Sequence, residues 1–232
     1  MGLEPPRRVV LPDLPETRRL LDDLQHGRSL GPLSPTAEAV IGRLERADLL
    51  VFDRQDHTSL SVGLLGPRTL VDAAAGPLRS AGLGVTDPGE VRVLLAHGVV
   101  SRDLADPLVR DGVPHVAAVT TPWGWELGPF VVPGETACLR CVDAFHSDHD
   151  PRYGVVLDQL ARTATPAPSG PALSAIALGW LARDLLAYRR GQRPSTWSAT
   201  VRLTETPGIE IAEERHWLRH PHCGCAWDAL AG

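Results

Sequence analysis

Four cysteines form the clearest chemical pattern in this 232-residue sequence. Cys138 and Cys141 make a C-x-x-C pair after the turn-forming Pro133-Gly134, and Cys223 and Cys225 make a C-x-C pair around a glycine. Thiolates spaced this closely on turns can converge on one ion, and two such pairs complete the tetrahedral sulfur shell that Zn²⁺ accepts. Four protein ligands leave no open coordination position. We therefore predict a structural zinc that fastens the C-terminal tail to the middle of the chain.

Other interpretations of these residues remain open. The C-x-x-C pair could be a redox site or carry free thiols, but a thioredoxin-like motif starts a helix with an intervening Gly-Pro, and here the residues are Leu139-Arg140. Nearby histidines could replace a ligand, and these are His146, His149, His220 and His222. We expect each histidine to be an exposed polar residue and retain only His222 as a reserve ligand.

A glycine pattern follows the first main predicted strand. Gly63 and Gly66 precede a predicted helix, and Asp87 follows about twenty residues later. A dinucleotide-binding fold uses three glycines for a tight turn, phosphate approach and helix packing, and an acid for the ribose. Only two glycines are present, and Pro67 removes an amide where a phosphate would bind. We interpret these residues as a vestigial nucleotide site and expect no bound ATP.

The sequence contains no pattern of a nucleophilic enzyme. Serine, histidine and aspartate occur, but a Gly-x-Ser-x-Gly elbow does not. The run His146-Ser147-Asp148-His149-Asp150 is predicted to be a solvated surface loop, because contiguous side chains rarely converge on one substrate. No catalytic residue is predicted.

Strands and helices are predicted to alternate from residue 59. Alternation with short connections is typical of a parallel sheet with helices on its faces. The predicted strands are 59–65, 83–85, 91–96, 113–119 and 125–132, followed by a hairpin of 198–204 and 209–213. The predicted helices are 69–80, 101–110 and 172–190, the last preceded by a flexible loop at 161–171. Helix 172–190 is apolar almost all round, which favours burial in the core.

The first fifty residues have a different pattern. We predict strands at 7–11 and 49–52 and helices at 15–26 and 35–46. Ser34 is the expected N-cap of the second helix, with Pro35 at its first position. Two short helices and a strand resemble a small winged-helix unit. The alternative is a subdomain that covers one face of the sheet. We place the domains at 1–53 and 54–232.

Composition narrows the function classes. The chain is 43% hydrophobic and 22% charged, as in soluble globular proteins, and its net charge of -5 argues against nucleic-acid binding. All 23 basic residues are arginine, so Schiff-base and phosphate-loop lysine chemistry is excluded. We find neither a membrane span nor a signal peptide, and therefore expect a cytoplasmic, reducing environment.

Three segments of the sequence resemble a known family. They are residues 128–141 (Gly-Pro-Phe-Val-Val-Pro-Gly-Glu-Thr-Ala-Cys-Leu-Arg-Cys), Asp150-Pro151, and the terminal His-Pro-His-Cys-Gly-Cys at 220–225. They resemble the corresponding segments of the ThiF-like proteins of azole-peptide biosynthesis. These cyclodehydratase C, or leader-peptide-binding, proteins are distant relatives of ubiquitin-activating enzymes. The resemblance runs from about Leu49 to the C-terminus, and the first fifty residues look like a shortened form of the family's winged-helix peptide-recognition element.

The resemblance implies a non-catalytic scaffold. Such a protein binds the leader of a ribosomally made precursor peptide and presents it to a separate ATP-using YcaO enzyme. The implied fold is an α/β, degenerate Rossmann-like (ThiF-type) sheet with helices on both faces and a zinc-clipped tail. The family's zinc ligands fall on the four cysteines. The leader would dock as an added strand beside residues 7–11 and the helix at 35–46.

Further expectations concern assembly and activity. ThiF-like folds commonly form homodimers, and helix 172–190 could supply an interface, although we favour its burial in the core. An alternative function is an ATP-dependent adenylyltransferase acting on a peptide. A third is a stand-alone redox or metal-handling protein.

Overall fold

The computed structural model describes residues 8–47, 49–50, 60–163, 170–204 and 212–225. The chain divides into two compact units, residues 1–57 and 58–232. The predicted domain boundary at 53/54 lies outside the described residues, as does half of the strand predicted at 49–52.

The N-terminal unit contains two helices, α1 (Pro15–Gln25) and α2 (Pro35–Arg46). Ser34 caps α2 as predicted, because its Oγ accepts a hydrogen bond from the backbone N–H of Ala37 at 3.2 Å. The strand predicted at 7–11 is wrong for residues 8–11, which form no strand. A side chain rather than a neighbouring strand meets this segment: Arg43 of α2 donates to the carbonyl of Val10 at 3.3 Å.

The larger unit is built on a mixed seven-stranded sheet in the order β2-β1-β3-β4-β5-β6-β7. Its strands are β1 (Ser61–Leu65), β2 (Gly84–Val85), β3 (Val91–His97), β4 (His115–Thr121), β5 (Gly124–Val131), β6 (Ala199–Thr204) and β7 (Ala212–His216). The first four strands are parallel, as predicted, whereas β5, β6 and β7 are antiparallel. The predicted pairing of the last two strands is confirmed, although residues 205–211 lie outside the described part of the chain. The α/β class is confirmed.

Helices cover both faces of the sheet. They are α3 (Arg68–Ser80), α4 (Arg102–Arg110), α5 (Leu139–His149), α6 (Tyr153–Thr163) and α7 (Pro171–Arg189). Successive strand residues point to opposite faces, so Val93 of β3 packs with α3 and α7, while Leu94 packs with α4 and α5. We call these the α7 face and the α5 face. Helix α7 is buried in the core, as we favoured, and no helix in the described chain is long and apolar enough to cross a bilayer.

One predicted loop is helical instead, and a second is helical at its start. The run from His146 to Asp150 is the last turn of α5 and its C-cap, not a surface loop, and α6 extends into the loop predicted at 161–171. The reason is tertiary: the His146 ring stacks on Tyr153 at 4.6 Å and lies 5.2 Å from the ring of Trp217. Contacts to a tryptophan seventy-one residues away leave no local pattern in the sequence.

One buried side chain on β4 couples the fold to pH. His115 is fully buried, and its Nδ1 lies 2.9 Å from the carbonyl of Val113, so Nδ1 carries the proton. Its Nε2 has no hydrogen-bond partner among the described residues. Burial lowers the pKa of His115, so the folded protein keeps this imidazole neutral.

We predict that His115 destabilises the protein on acidification. Below the unfolded pKa of about 6.5 the unfolded chain binds a proton that the folded chain rejects, so stability falls as pH falls. From pH 7.5 to 5.5 this residue contributes a loss of up to about 1.4 kcal/mol, or roughly 3–5 °C in melting temperature. In His115→Leu, calorimetry at both pH values should show a drop in melting temperature between pH 7.5 and 5.5 that is smaller than the wild type's by this amount. The control His149→Gln, at an exposed position, should behave like the wild type, and equal acid sensitivity in all three proteins would contradict the prediction.

Candidate metal centre

The four cysteine sulfurs lie together, all within 4.8 Å of one another. The Sγ atoms of Cys138 and Cys141 are 3.8 Å apart, those of Cys138 and Cys223 are 3.6 Å apart, and those of Cys141 and Cys225 are 3.3 Å apart. Three of the cysteines are buried and Cys225 is partly exposed. The structure thus brings together residues from opposite ends of an eighty-residue interval.

The N-terminus of α5 positions the first pair. Cys138 is the N-cap of this helix and Cys141 lies in its first turn. The helix therefore directs its positive end toward the sulfurs, which favours thiolates. This C-x-x-C begins a helix, as a thioredoxin-like motif does, but Leu139-Arg140 stands where the Gly-Pro would be. What distinguishes it is the second pair, which meets it from the C-terminal segment.

The spacing of the sulfurs fits a zinc ion. Four sulfurs at the corners of a tetrahedron, each about 2.3 Å from Zn²⁺, lie about 3.8 Å from one another. Three of the Sγ separations, 3.3 to 3.8 Å, are close to this value, and all four sulfurs lie within 4.8 Å of one another. Four soft ligands in a buried place are also the donor set of structural zinc, since they leave no position for a substrate. The buried cluster could therefore hold a structural zinc.

Without a metal the four thiols share protons unevenly. Hydrogen bonds from Cys138 and Cys225 lower the pKa of Cys141, while hydrogen bonding to Cys141 and Cys225 raises the pKa of Cys138. Burial raises the pKa of Cys223. A divalent cation would displace the remaining protons, because only the thiolate is a ligand.

A second layer of contacts ties the two halves of the cluster together. The guanidinium of Arg219 donates to the carbonyl of Gly134 at 2.8 Å and also to the carbonyl of Cys225. The backbone N–H of Trp217 donates to the carbonyl of Ser198 at 2.7 Å, and the Ser198 hydroxyl accepts from the N–H of Ala137 at 2.9 Å. The C-terminal segment is thus held by main-chain bonds as well as by sulfur.

The histidines near the cluster have separate roles. His220 is 4% exposed, which corrects the expectation of an exposed residue, and its Nε2 lies 3.0 Å from the Asp148 carboxylate. Its Nδ1 accepts from the N–H of His222, so Nε2 carries the proton toward Asp148. His146 is partly buried, whereas His149 and His222 are exposed as expected. Pairing of His220 with a residue of α5 was not deducible from the sequence.

The predicted nucleotide residues are spread over two places. Gly63 lies inside β1 rather than in a turn, and a Cβ atom there would overlap the guanidinium of Arg92. A Cβ atom at Gly89 would in turn overlap the backbone nitrogen of Gly63. Asp87 accepts a hydrogen bond from Arg92 at 3.2 Å. Only Gly66 lies at the carboxyl end of β1, where it approaches the carbonyl of Leu95 on β3.

A short crossing accounts for these glycines. Strands β2 and β3 lie on opposite sides of β1, so residues 86–90 pass directly over β1 to connect them. In the doubly wound fold with strand order 3-2-1-4-5-6, an outer strand and its helix make this connection. The order β2-β1-β3-β4 of this sheet corresponds to strands 2-1-4-5 of that fold. Strand 3 of that fold and the helix next to it have no counterpart among the described residues.

Comparison with known proteins identifies the fold. No protein-family model and no curated protein matches this sequence. The structure of the heterocyclase TruD matches 90% of this chain with a TM-score of 0.62 and 19% sequence identity, over 33% of its own length. A heterocyclase in complex with substrate and cofactor matches 92% of this chain with a TM-score of 0.59 and 17% identity, over 31% of its length.

A second type of structure gives a weaker match. MccB of E. coli with SeMet MccA matches 72% of this chain with a TM-score of 0.51 and 13% identity, over 66% of its length. The present chain spans about one third of the heterocyclase chains that it matches. At these identities the likeness concerns the fold, and it confirms the predicted structural similarity to ThiF-like proteins of peptide modification.

The metal centre predicts the outcome of removing single ligands. The wild-type protein should contain one zinc per chain by elemental analysis, whereas Cys223→Ser and Cys225→Ser should lose it. Metal binding and folding are coupled, so these variants should lose about 5 kcal/mol of stability, or roughly 10–20 °C in melting temperature. His222→Ala, in which the reserve ligand is removed, should keep its zinc. Retention of zinc in Cys223→Ser, or its loss in His222→Ala, would contradict a four-cysteine site.

The crossing over β1 predicts opposite effects for two glycine substitutions. Gly89→Ala forces a methyl group against the backbone of Gly63 and should cost about 1–3 kcal/mol. Gly179→Ala, inside α7 with open space around it, should stabilise the protein by up to about 1 kcal/mol. Denaturant unfolding of both variants measures the difference. A Gly89→Ala variant as stable as the wild type would show that residues 86–90 do not pack on β1.

Proposed function

We propose that this protein binds the leader segment of a ribosomally made precursor peptide and holds it for a separate YcaO-type cyclodehydratase. The N-terminal unit, a shortened winged-helix element, recognises the leader. The zinc-fastened, degenerate Rossmann-like unit acts as the scaffold. The protein itself catalyses no reaction on the peptide.

The extent of the structural match carries this proposal. Residues 58–232 make up three quarters of the chain, so a match to 90% of the chain must extend into residues 1–57. The match to a heterocyclase therefore includes part of the unit to which we assign peptide recognition.

The surroundings of the predicted nucleotide site support a scaffold rather than an enzyme. Gly63 serves the crossing over β1, and Asp87 is engaged by Arg92. At the carboxyl edge of β1, Pro67 takes the place of an N–H donor and caps α3 without a side-chain hydrogen bond. The chain also offers no lysine to a triphosphate.

The N-terminal unit offers a surface for the leader. Val10, Leu14 and Leu33 are 78%, 43% and 38% exposed beside the small core of α1 and α2. A leader strand pairing with residues 8–11 would gain main-chain hydrogen bonds and cover Val10. The recognition element is therefore assigned to residues 8–11 and α2.

The alternative is an ATP-dependent adenylyltransferase acting on a peptide. Gly66 at the edge between β1 and β3, the point at which doubly wound folds bind ligands, favours it. ATP–pyrophosphate exchange in the presence of the precursor separates the two functions. The scaffold predicts no exchange above background, and robust exchange would establish the enzyme instead.

Leader binding is tested by fluorescence anisotropy. The probe is a fluorescein-labelled peptide copied from the N-terminal half of a short Cys/Ser/Thr-rich reading frame, to be sought beside the gene in its genome. We expect saturable binding, weakened at least tenfold in Val10→Glu, because a charge would be buried under the added strand. The control Ile176→Glu, at an exposed position with a β-branched aliphatic side chain on α7, should bind within twofold of the wild type. No saturable binding, or equal loss in both variants, would refute recognition by the N-terminal unit.

A further inference from the structure

A cavity of about 200 Å³ lies on the α5 face of the sheet and is lined by residues of the larger unit. Its floor is formed by β4, β5, β6 and β7, and its roof by α5 and α6. On the opposite face the same strands are packed by α7 with apolar side chains. The cavity therefore exists because the antiparallel half of the sheet is polar on one face only.

Charged side chains form two rows on the cavity floor. In the first row Arg202 of β6 lies between two carboxylates, 3.3 Å from Glu126 and 3.7 Å from Glu213. In the second row Thr200 pairs in register with Arg215 of β7. In the first row the guanidinium of Arg202 is therefore paired with carboxylates. In the second row no carboxylate among the described residues pairs with Arg215.

Arg215 is held in place by stacking. Its guanidinium carbon lies 4.2 Å from the ring centroid of Trp217, which is 7% exposed and donates from Nε1 to the hydroxyl of Thr200 at 3.1 Å. A guanidinium stacked on an indole keeps its N–H edge available, and that edge matches a carboxylate in a bidentate pair. The stacked arginine is therefore a preformed place for an anion.

Uncharged rings from the two helices lie near the second row. His146 of α5 stacks on Tyr153 of α6 and faces Trp217. Burial, with a smaller contribution from Arg215, lowers the pKa of His146. At neutral pH His146 is therefore uncharged, and Arg215 supplies a positive charge at this end of the cavity that no carboxylate among the described residues pairs with.

The roof is apolar. Val142 of α5 and Val156, Leu157 and Leu160 of α6 line the cavity. Val156 and Leu160 are each 46% exposed, a large fraction for apolar residues beside a cavity. A ligand that carries an apolar group next to its anion would cover these side chains.

We propose that this cavity binds a peptide segment in which an aspartate or glutamate stands beside a hydrophobic residue. The carboxylate pairs with Arg215 on the face of Trp217, and the hydrophobic side chain enters beneath α6. Assigning the ligand as a peptide rests on the proposed function, but the site is distinct from the leader surface of the N-terminal unit. The protein would thus hold a peptide at two places.

The test uses the full-length protein and the probe acetyl-Leu-Asp-Val-amide in methyl and indole NMR titrations. We expect saturable shifts at Val156, Leu160 and the indole N–H of Trp217. Binding should weaken about tenfold or more in Arg215→Gln and for the Leu-Asn-Val probe, because a charge-assisted bond is lost. The matched control Arg183→Gln, an arginine stacked on Trp180 of α7 with 5.6 Å from guanidinium to ring centroid, should bind like the wild type.

Several outcomes would overturn the proposal. They are unchanged affinity in a folded Arg215→Gln variant, equal affinity for the aspartate and asparagine probes, or tighter binding of a Leu-Lys-Val probe through the glutamates. Isovalerate binding as tightly as the peptide would assign the cavity to small acids instead. Val10→Glu should leave tripeptide binding unchanged, so failure of this site and failure of leader recognition give different results.

Discussion

The convergence of four sulfurs is the constraint on which the larger unit depends. The first pair begins α5, and the second lies in the last described residues of the chain. Around the sulfurs, Val131, Val142 and Trp217 form one buried cluster, so the cysteine site and the end of the sheet share a small core. A metal ion there closes a long loop, and its binding free energy becomes folding free energy.

This constraint also shapes the polar face of the sheet. Trp217 follows β7 directly and reaches both the cysteine core and the cavity floor. On the cavity side the ring supports Arg215 and binds Thr200. The structural site and the proposed peptide cavity are therefore neighbours that share one side chain, and anchoring of the C-terminal segment sets the position of the stacked arginine.

Residues that suggest a nucleotide site have a different physical cause here. Gly63 and Gly89 lack side chains because two backbone segments cross at that point. The carboxylate of Asp87 meets an arginine of β3 instead of standing alone at the end of β2. The packing of residues 86–90 on β1 thus accounts for two glycines and an aspartate without a bound nucleotide. This explanation is consistent with the scaffold function that we propose.

The sequence predicted the features that depend on local rules. Capping chemistry predicts the cap at Ser34, and periodicity predicts the parallel strands and the packing of α7 in the core. Ligand spacing predicts that the two cysteine pairs converge. Features that depend on distant partners were missed. The last turn of α5 contacts Trp217, its His146 stacks on Tyr153 of α6, and burial of His220 rests on α5. The role of Arg215 needs the register of three antiparallel strands, which periodicity alone does not define.

The most direct test of the central claim is X-ray absorption at the zinc edge on the purified protein. A four-cysteine site predicts one zinc per chain with four sulfur neighbours at about 2.3 Å. A first shell that contains nitrogen or oxygen, or protein that folds fully without metal, would contradict the account.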